Sequence, residues 1–186
     1  MTTQTKPDLI QAYELMLAQA RKAMWGVRAD QIANRTPCTD WDVTALINHF
    51  TTQQLSYAST VNGAPVEPGK TPRQSLDRAS DAILTAVRAP GGLDKIVQGR
   101  AGPIPASQTL AGAILDLAQH TWDLAKATGQ DTKLDPLVVE AVLPNAEAIA
   151  ARGPSRAFAA GPKLPANASR QDRFLALTGR DPAMVL

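Results

Sequence analysis

The sequence predicts an all-α fold, an antiparallel bundle of four main helices with an additional kinked fifth helix and a short C-terminal one. Three observations carry that expectation. The hydrophobic fraction is 44%, much of it alanine and leucine, which favour helix. Aromatic residues make up only 4%, which argues against a β-sandwich. Apolar residues recur at three- and four-residue steps in one segment after another, the mark of helices with one buried face. At 186 residues the chain suffices for one domain, residues 1–186, with a proper hydrophobic core.

Helix one is expected from Pro7 to Trp25, with Leu9, Tyr13, Met16 and Ala20 along one stripe and Gly26 as its stop. Asp30 to Pro37 forms a connector, extended at Thr36 because proline follows. Helix two is expected to open at Thr39. Thr39-Asp40-Trp41-Asp42 resembles a capping box with Asp42 at the third helical position. It carries Val43, Leu46, Ile47, His49, Phe50 and Leu55 and ends near Val61-Asn62-Gly63; Ala64 to Lys70 is a loop. Helix three starts at Thr71-Pro72, a cap followed by proline at the first helical position, and breaks at Ala89-Pro90-Gly91-Gly92. Between Leu93 and Ser107 the pattern is irregular. Lys95 to Gln98 reads as a short extended piece, and the prolines of Gly102-Pro103-Ile104-Pro105 exclude helix there.

Helix four spans Leu110 to Thr128, with Leu110, Ala113, Ile114, Leu117 and Leu124 on its stripe and Gly129 after it. Helix five opens at Asp135-Pro136 and runs to about Arg152, where Pro144 is expected to kink or divide it. Gly153 to Ala168 is expected to cross the surface as a loop. A last helix begins at Ser169, with Asp172 at the capping-box offset, and ends at Gly179.

Composition narrows the function. Nineteen basic residues against 17 acidic leave a net charge of +2, which is no nucleic-acid footprint. The pI of 8.8 looks basic but responds to very few charges near neutrality. Cys38 is the single cysteine, so no intramolecular disulfide forms. The opening residues are polar and lack the apolar core of a signal peptide, and no apolar run approaches the ~20 residues of a membrane helix. The expected compartment is the cytoplasm, with no membrane partner.

Helix four carries the chemistry. Asp116 and His120 are four apart and share one helix face, with Cβ atoms ~5–6 Å apart. A carboxylate and an imidazole so placed are ligands Zn²⁺ accepts. Asp123 lies near the same stripe. Three roles are open to it: orienting His120, ligating a metal itself, or pairing with Lys126. One helix rarely completes a site, and the chain has only one other histidine, His49. The two histidine-bearing helices are therefore expected to face each other. The competing readings are an ordinary core or surface histidine for His49 and a solvated carboxylate for Asp116. Against the second, Leu110 to Ala118 holds no other charge. Cys38 is expected to lie outside the site, because eleven residues before His49 along a helix amount to ~16 Å. Trp41 is open between core and pocket wall; Trp122, two residues from His120, points away and packs.

Thr36-Pro37-Cys38-Thr39-Asp40-Trp41-Asp42-Val43 followed by Asn48-His49 resembles the helix-two signature of the mycothiol-dependent maleylpyruvate isomerase metal-binding domains, of the DinB-like bundle superfamily. Asp116 to Gly129, with His-Thr-Trp-Asp-Leu-Ala inside it, is similar to the second signature of that group. Gln171 to Pro182 is similar to the ending of its short actinobacterial members. The resemblance implies a four-helix bundle holding a divalent metal, usually zinc, by His49, Asp116 and His120, with Asp116 where the isomerase has a glutamate. The isomerase also has a further C-terminal domain that contributes to its active site, and the residues after Thr128 are too few for it. Isomerisation of maleylpyruvate is accordingly not the expected reaction.

Three protein ligands leave positions open for water or substrate, the pattern of catalytic zinc. The first functional reading is a metal-dependent thiol S-transferase, with mycothiol as cosubstrate and an electrophilic small molecule as substrate. His49, Asp116 and His120 would be the ligands, and Asp123 would support them. The second is a hydrolase or lyase using metal-activated water. The third is a non-catalytic metal-binding bundle acting as a binding or dimerising module, with a homodimer as one form open to it.

Overall fold

The computed structural model describes residues 8–153 and 160–186. The expected start of helix one at Pro7, and Pro154 to Ala159 in the surface loop, lie outside the described residues. Helix α1, Leu9–Trp25, is capped by Asp8, whose carboxylate accepts from the backbone of Ile10 and Gln11. Helix α2 is Val43–Asn62 and α3 is Pro72–Arg88; Thr71 caps α3 and Pro72 opens it, as read from sequence. The irregular stretch is a β-hairpin, β1 Ile96–Gly99 against β2 Gly102–Pro105, antiparallel with Ile96 opposite Pro105. Helix α4, Ala106–Thr128, starts four residues before the expected Leu110. Helix α5, Pro136–Ala150, contains Pro144 without being divided by it, and α6 is Arg170–Leu177. Gly63 and Gly129 stop α2 and α4 in the left-handed conformation that favours glycine (φ 77° and 68°).

The first four helices form the bundle. Helix α1 packs on α3 and α4, and α2 packs on α3 and α4, so α1 and α2 sit diagonally. Helix α5 lies against α4 and α1, and α6 against α5. Helix α4 is therefore enclosed: every residue from Ala113 to Ala125 is buried. That explains why its apolar residues extend beyond one stripe, with Leu115, Ala118 and Trp122 buried on the side away from the Leu110–Leu117 stripe.

The register between α2 and α4 is held by buried polar groups. Gln54 donates to the Ala113 carbonyl at 3.1 Å and accepts from the Tyr13 hydroxyl at 3.2 Å, joining three helices. Buried polar groups are costly when unpaired, so this bridge specifies which turns face each other. Gly112 adds to the fit. A Cβ there would come within 3.3 Å of the Tyr57 ring, so its absence lets α2 approach α4 closely.

The start of α2 differs from expectation. Asp42, not Thr39, is the cap, and its carboxylate accepts from Ala45 N at 2.7 Å. The residues before it turn across the helix end instead of continuing its axis. Thr36 Oγ1 accepts from Cys38 N at 3.2 Å and lies 2.8 Å from the Trp41 carbonyl; Trp41 N donates to the Cys38 carbonyl at 2.8 Å. The connector also supplies carbonyls to the first α2 amides, Asn34 to Val43 and Ile32 to Thr44. These bonds satisfy donors that a helix leaves free at its N-terminus.

Candidate metal centre

The packing of α2 on α4 brings His49 opposite Asp116 and His120. The ligand atoms of these three residues all lie within 4.8 Å of one another. His120 Nε2 is 3.7 Å from Asp116 Oδ1. Around an ion with ~2.1 Å bonds, tetrahedral ligands sit about 3.4 Å apart, so a small closure would complete the set. Asp116 is 7% exposed, and its Oδ2 has no hydrogen-bond partner among the described residues. Buried polar oxygens are nearly always paired, and an anionic one without a partner calls for a cation. The residues present thus fit a divalent metal, on donor chemistry and on that orphan oxygen together.

Electrostatics agree. Burial pushes the Asp116 carboxyl up to about 6, against the pull of His120 and Arg180. Burial also lowers His49 to about 4, helped by repulsion from His120 when that ring is protonated and from Arg180. His49 is thereby kept as the neutral imidazole, the form that can ligate. The Trp41 ring lies 4.1 Å from that of His49, centroid to centroid, tilted by 35°. Trp41 packs against the core and also lies beside the His49 and His120 rings, so both alternatives left open by sequence apply; Trp122 is buried, with Lys126 near its ring.

The other edge of His120 meets Asp123. His120 Nδ1 lies 3.0 Å from Asp123 Oδ2. A carboxylate only accepts, so Nδ1 carries the hydrogen; Nε2 faces Asp116 and His49, with the Gln119 amide nitrogen 3.3 Å away, and offers a lone pair there in the neutral ring. The hydrogen bond to His120 fits the orienting role for Asp123, its place beside Cys38 and His120 also fits a ligand, and among the described residues Lys126 is not one of its partners. Burial alone would raise Asp123, but the His120 hydrogen bond and the Arg180 guanidinium outweigh it and hold its carboxyl below the usual range.

Two residues that sequence reasoning places elsewhere, or passes over, belong here. Cys38 is at the site, with Sγ 3.3 Å from Asp123 Oδ2. The ~16 Å separation assumes a continuous helix axis; the turn before α2 folds the thiol back instead. Burial pushes that thiol up to about 12, with the Asp123 charge adding to it. Arg180 arrives from the far end of the chain. Its NH2 and Nε donate to the two oxygens of Asp123 at 2.7 and 3.2 Å, and its NH1 donates to the Thr178 carbonyl at 2.6 Å. Local structure aims it. Gly179 N bonds the Ala176 carbonyl and Arg180 N the Leu175 carbonyl, with Gly179 at φ 80°, a Schellman ending to α6. The available signal is the Thr178-Gly179-Arg180 stop itself, a charged residue at a defined place after a helix.

A family of proteins described as the mycothiol maleylpyruvate isomerase N-terminal domain has a model that matches residues 14–125. That span holds Cys38, His49, Asp116, His120 and Asp123 and ends before Arg180. Two uncharacterized proteins of Mycobacterium tuberculosis, from strain H37Rv and from strain CDC 1551 / Oshkosh, are each 32% identical to the chain over 162 residues. The alignment covers 83% of this chain and 87% of theirs. No solved structure matches the chain.

Proposed function

The chain belongs to the mycothiol maleylpyruvate isomerase N-terminal domain family, and from that premise we propose that it is a divalent-metal protein that transfers a low-molecular-weight thiol, mycothiol, to an electrophilic small molecule. The observation that carries the reading is the buried trio of His49, Asp116 and His120, with ligand atoms within 4.8 Å and an unpartnered carboxylate oxygen. Zinc is the metal this donor set suits. When bound, such an ion lowers the pKa of a thiol and keeps the reactive thiolate at neutral pH.

The chain's own residues do the rest. His49 and His120 would present ring nitrogens, and Asp116 would supply the one carboxylate of the set. Asp123 holds the His120 ring so that Nε2 faces the centre. The Trp41 ring covers one side of His49 and limits water there. His49 is only half-buried, so thiol and electrophile would enter along its edge. Cys38 is unsuited as the nucleophile, because its thiol is pushed up to about 12 and lies between Asp123 and Arg180. The sulfur must come from outside: the external thiol gives its proton to solvent, its sulfur forms a bond to the electrophilic carbon, and the leaving group departs from that carbon with the bonding electron pair.

The test is a zinc-loaded protein offered a generic chromogenic electrophile with mycothiol, with glutathione and with no thiol. Turnover with mycothiol that stops on chelation is expected. Turnover without thiol would replace this reading by hydrolysis, and no turnover with any thiol would leave a non-catalytic metal-binding module.

A further inference from the structure

His120 faces two possible ligand groups through opposite edges of one ring. Its Nε2 edge meets Asp116 and His49; its Nδ1 edge meets Asp123 and Cys38. The ligand atoms of Cys38, His120 and Asp123 also lie within 4.8 Å of one another, and sulfur, nitrogen and oxygen are all zinc donors. On distance and chemistry alone, neither group outranks the other. What separates them is Arg180. Its guanidinium engages both oxygens of Asp123 and lies 3.4 Å from Cys38 Sγ. An ion bonded at ~2.1–2.3 Å to that sulfur and that carboxylate would need the same space.

We propose that Arg180 decides which group takes the metal: its guanidinium stands as a built-in cation in the Cys38/His120/Asp123 group, closing a latent thiolate metal site and confining the ion to His49, Asp116 and His120. The proposal rests on the metal reading above. Arg180 acts through Asp123 and is a positioning residue. Its side chain is only 10% exposed and Asp123 is fully buried, so neither charge has water as an alternative partner. The neutral His120 ring has a single lone pair, so it serves one group at a time. Opening the second group therefore moves the ion. The Cys38 S–H bond breaks, a sulfur–metal bond forms and that proton goes to solvent. On His120 the hydrogen passes from Nδ1 to Nε2. Because Arg180 follows α6, beyond the residues that match the family domain, the choice of metal position is made by the C-terminal segment.

Cobalt(II) tests this without any activity assay, because thiolate ligation gives a sulfur-to-cobalt charge-transfer band in the near ultraviolet. The wild-type protein should bind cobalt without the band. Arg180→Met should bind it with the band, and Cys38→Ser/Arg180→Met should lose the band again. Arg180→Gln keeps a donor for Asp123 and serves if Arg180→Met does not fold by circular dichroism; the same band is expected. Arg180→Lys keeps a cation and should restore the wild-type spectrum. A band in the wild type, or none in a folded, cobalt-loaded Arg180→Met or Arg180→Gln, overturns the proposal. So does a band in Arg180→Lys as strong as in Arg180→Met, since lost packing and not the lost cation would then open the group. A wild type that takes no cobalt, beside an Arg180→Met that takes it with the band, sinks His49/Asp116/His120 as the metal centre and leaves the closed thiolate site standing.

Discussion

Asp116 and Asp123 are the same residue type, on the same helix, one turn before and just under one turn after His120, and both are buried. Their environments are opposite. Asp123 has its partners inside the chain: His120 and the Cys38 thiol on one oxygen and the Arg180 guanidinium across both. Its carboxyl is held low and its charge is answered. Asp116 has an oxygen with no partner among the described residues, and burial pushes its carboxyl up to about 6. Burial by itself therefore says little about a carboxylate's role. The informative feature is whether the fold supplies the counter-charge. Where it does, the residue can support its neighbours; where it does not, the residue is open to a cation from outside, the role proposed for Asp116.

That contrast can be broken by substitution, beginning with the largest effect. His49→Ala and His120→Ala should each remove most bound zinc, since no third histidine exists to replace either. Elemental analysis showing one zinc per chain in the double variant would end the three-ligand assignment. Next comes the stability of the metal-free protein. Asp123→Asn leaves the Arg180 charge buried and unpaired and should cost ~3–5 kcal/mol in urea unfolding. Asp116→Asn removes an unanswered charge and should leave metal-free stability unchanged or raised. Equal losses in the two variants would erase the distinction drawn between them.

Metal affinity should rank the two the other way. Asp116→Asn should weaken zinc binding severely, while Asp123→Asn should cost ~10–100-fold through the orientation of His120. Competitive chelator titration decides this, and a larger loss in Asp123→Asn would reverse the ligand assignment. The smallest effect is expected from Cys38→Ser. It should keep full metal content and lose about 1 kcal/mol, the scale of one hydrogen bond. Loss of zinc with the helical circular dichroism intact would mean that sulfur is a ligand in the native protein.

Much of this architecture is legible in the amino-acid sequence. The caps at Thr71 and Ser169, the stops at Gly63, Gly129 and Gly179, and the Asp116–His120 spacing are local patterns, and local patterns act through the few bonds of one turn. The start of helix two is misplaced from sequence because Asp42, read there as the third residue of a Thr39 capping box, is itself the cap. Thr39 and Asp42 both suit the role, and only the pairing of Asn34 and Ile32 with the first α2 amides selects Asp42.

Periodicity and capping are written within a single element, so they dictate the helices, their order and which face of α4 carries Asp116, His120 and Asp123. His49 is the expected third member through scarcity, the chain having two histidines. Tertiary packing, by contrast, is what places Cys38 beside Asp123 and brings a guanidinium from position 180 back to residues 38 and 123. No repeat of 3.6 residues connects such positions. Their meeting depends on how a connector crosses the start of α2 and on where α5 carries α6; the stop of α6 is local, but its position beside residues 38 and 123 is set by packing and not by any pattern along the chain.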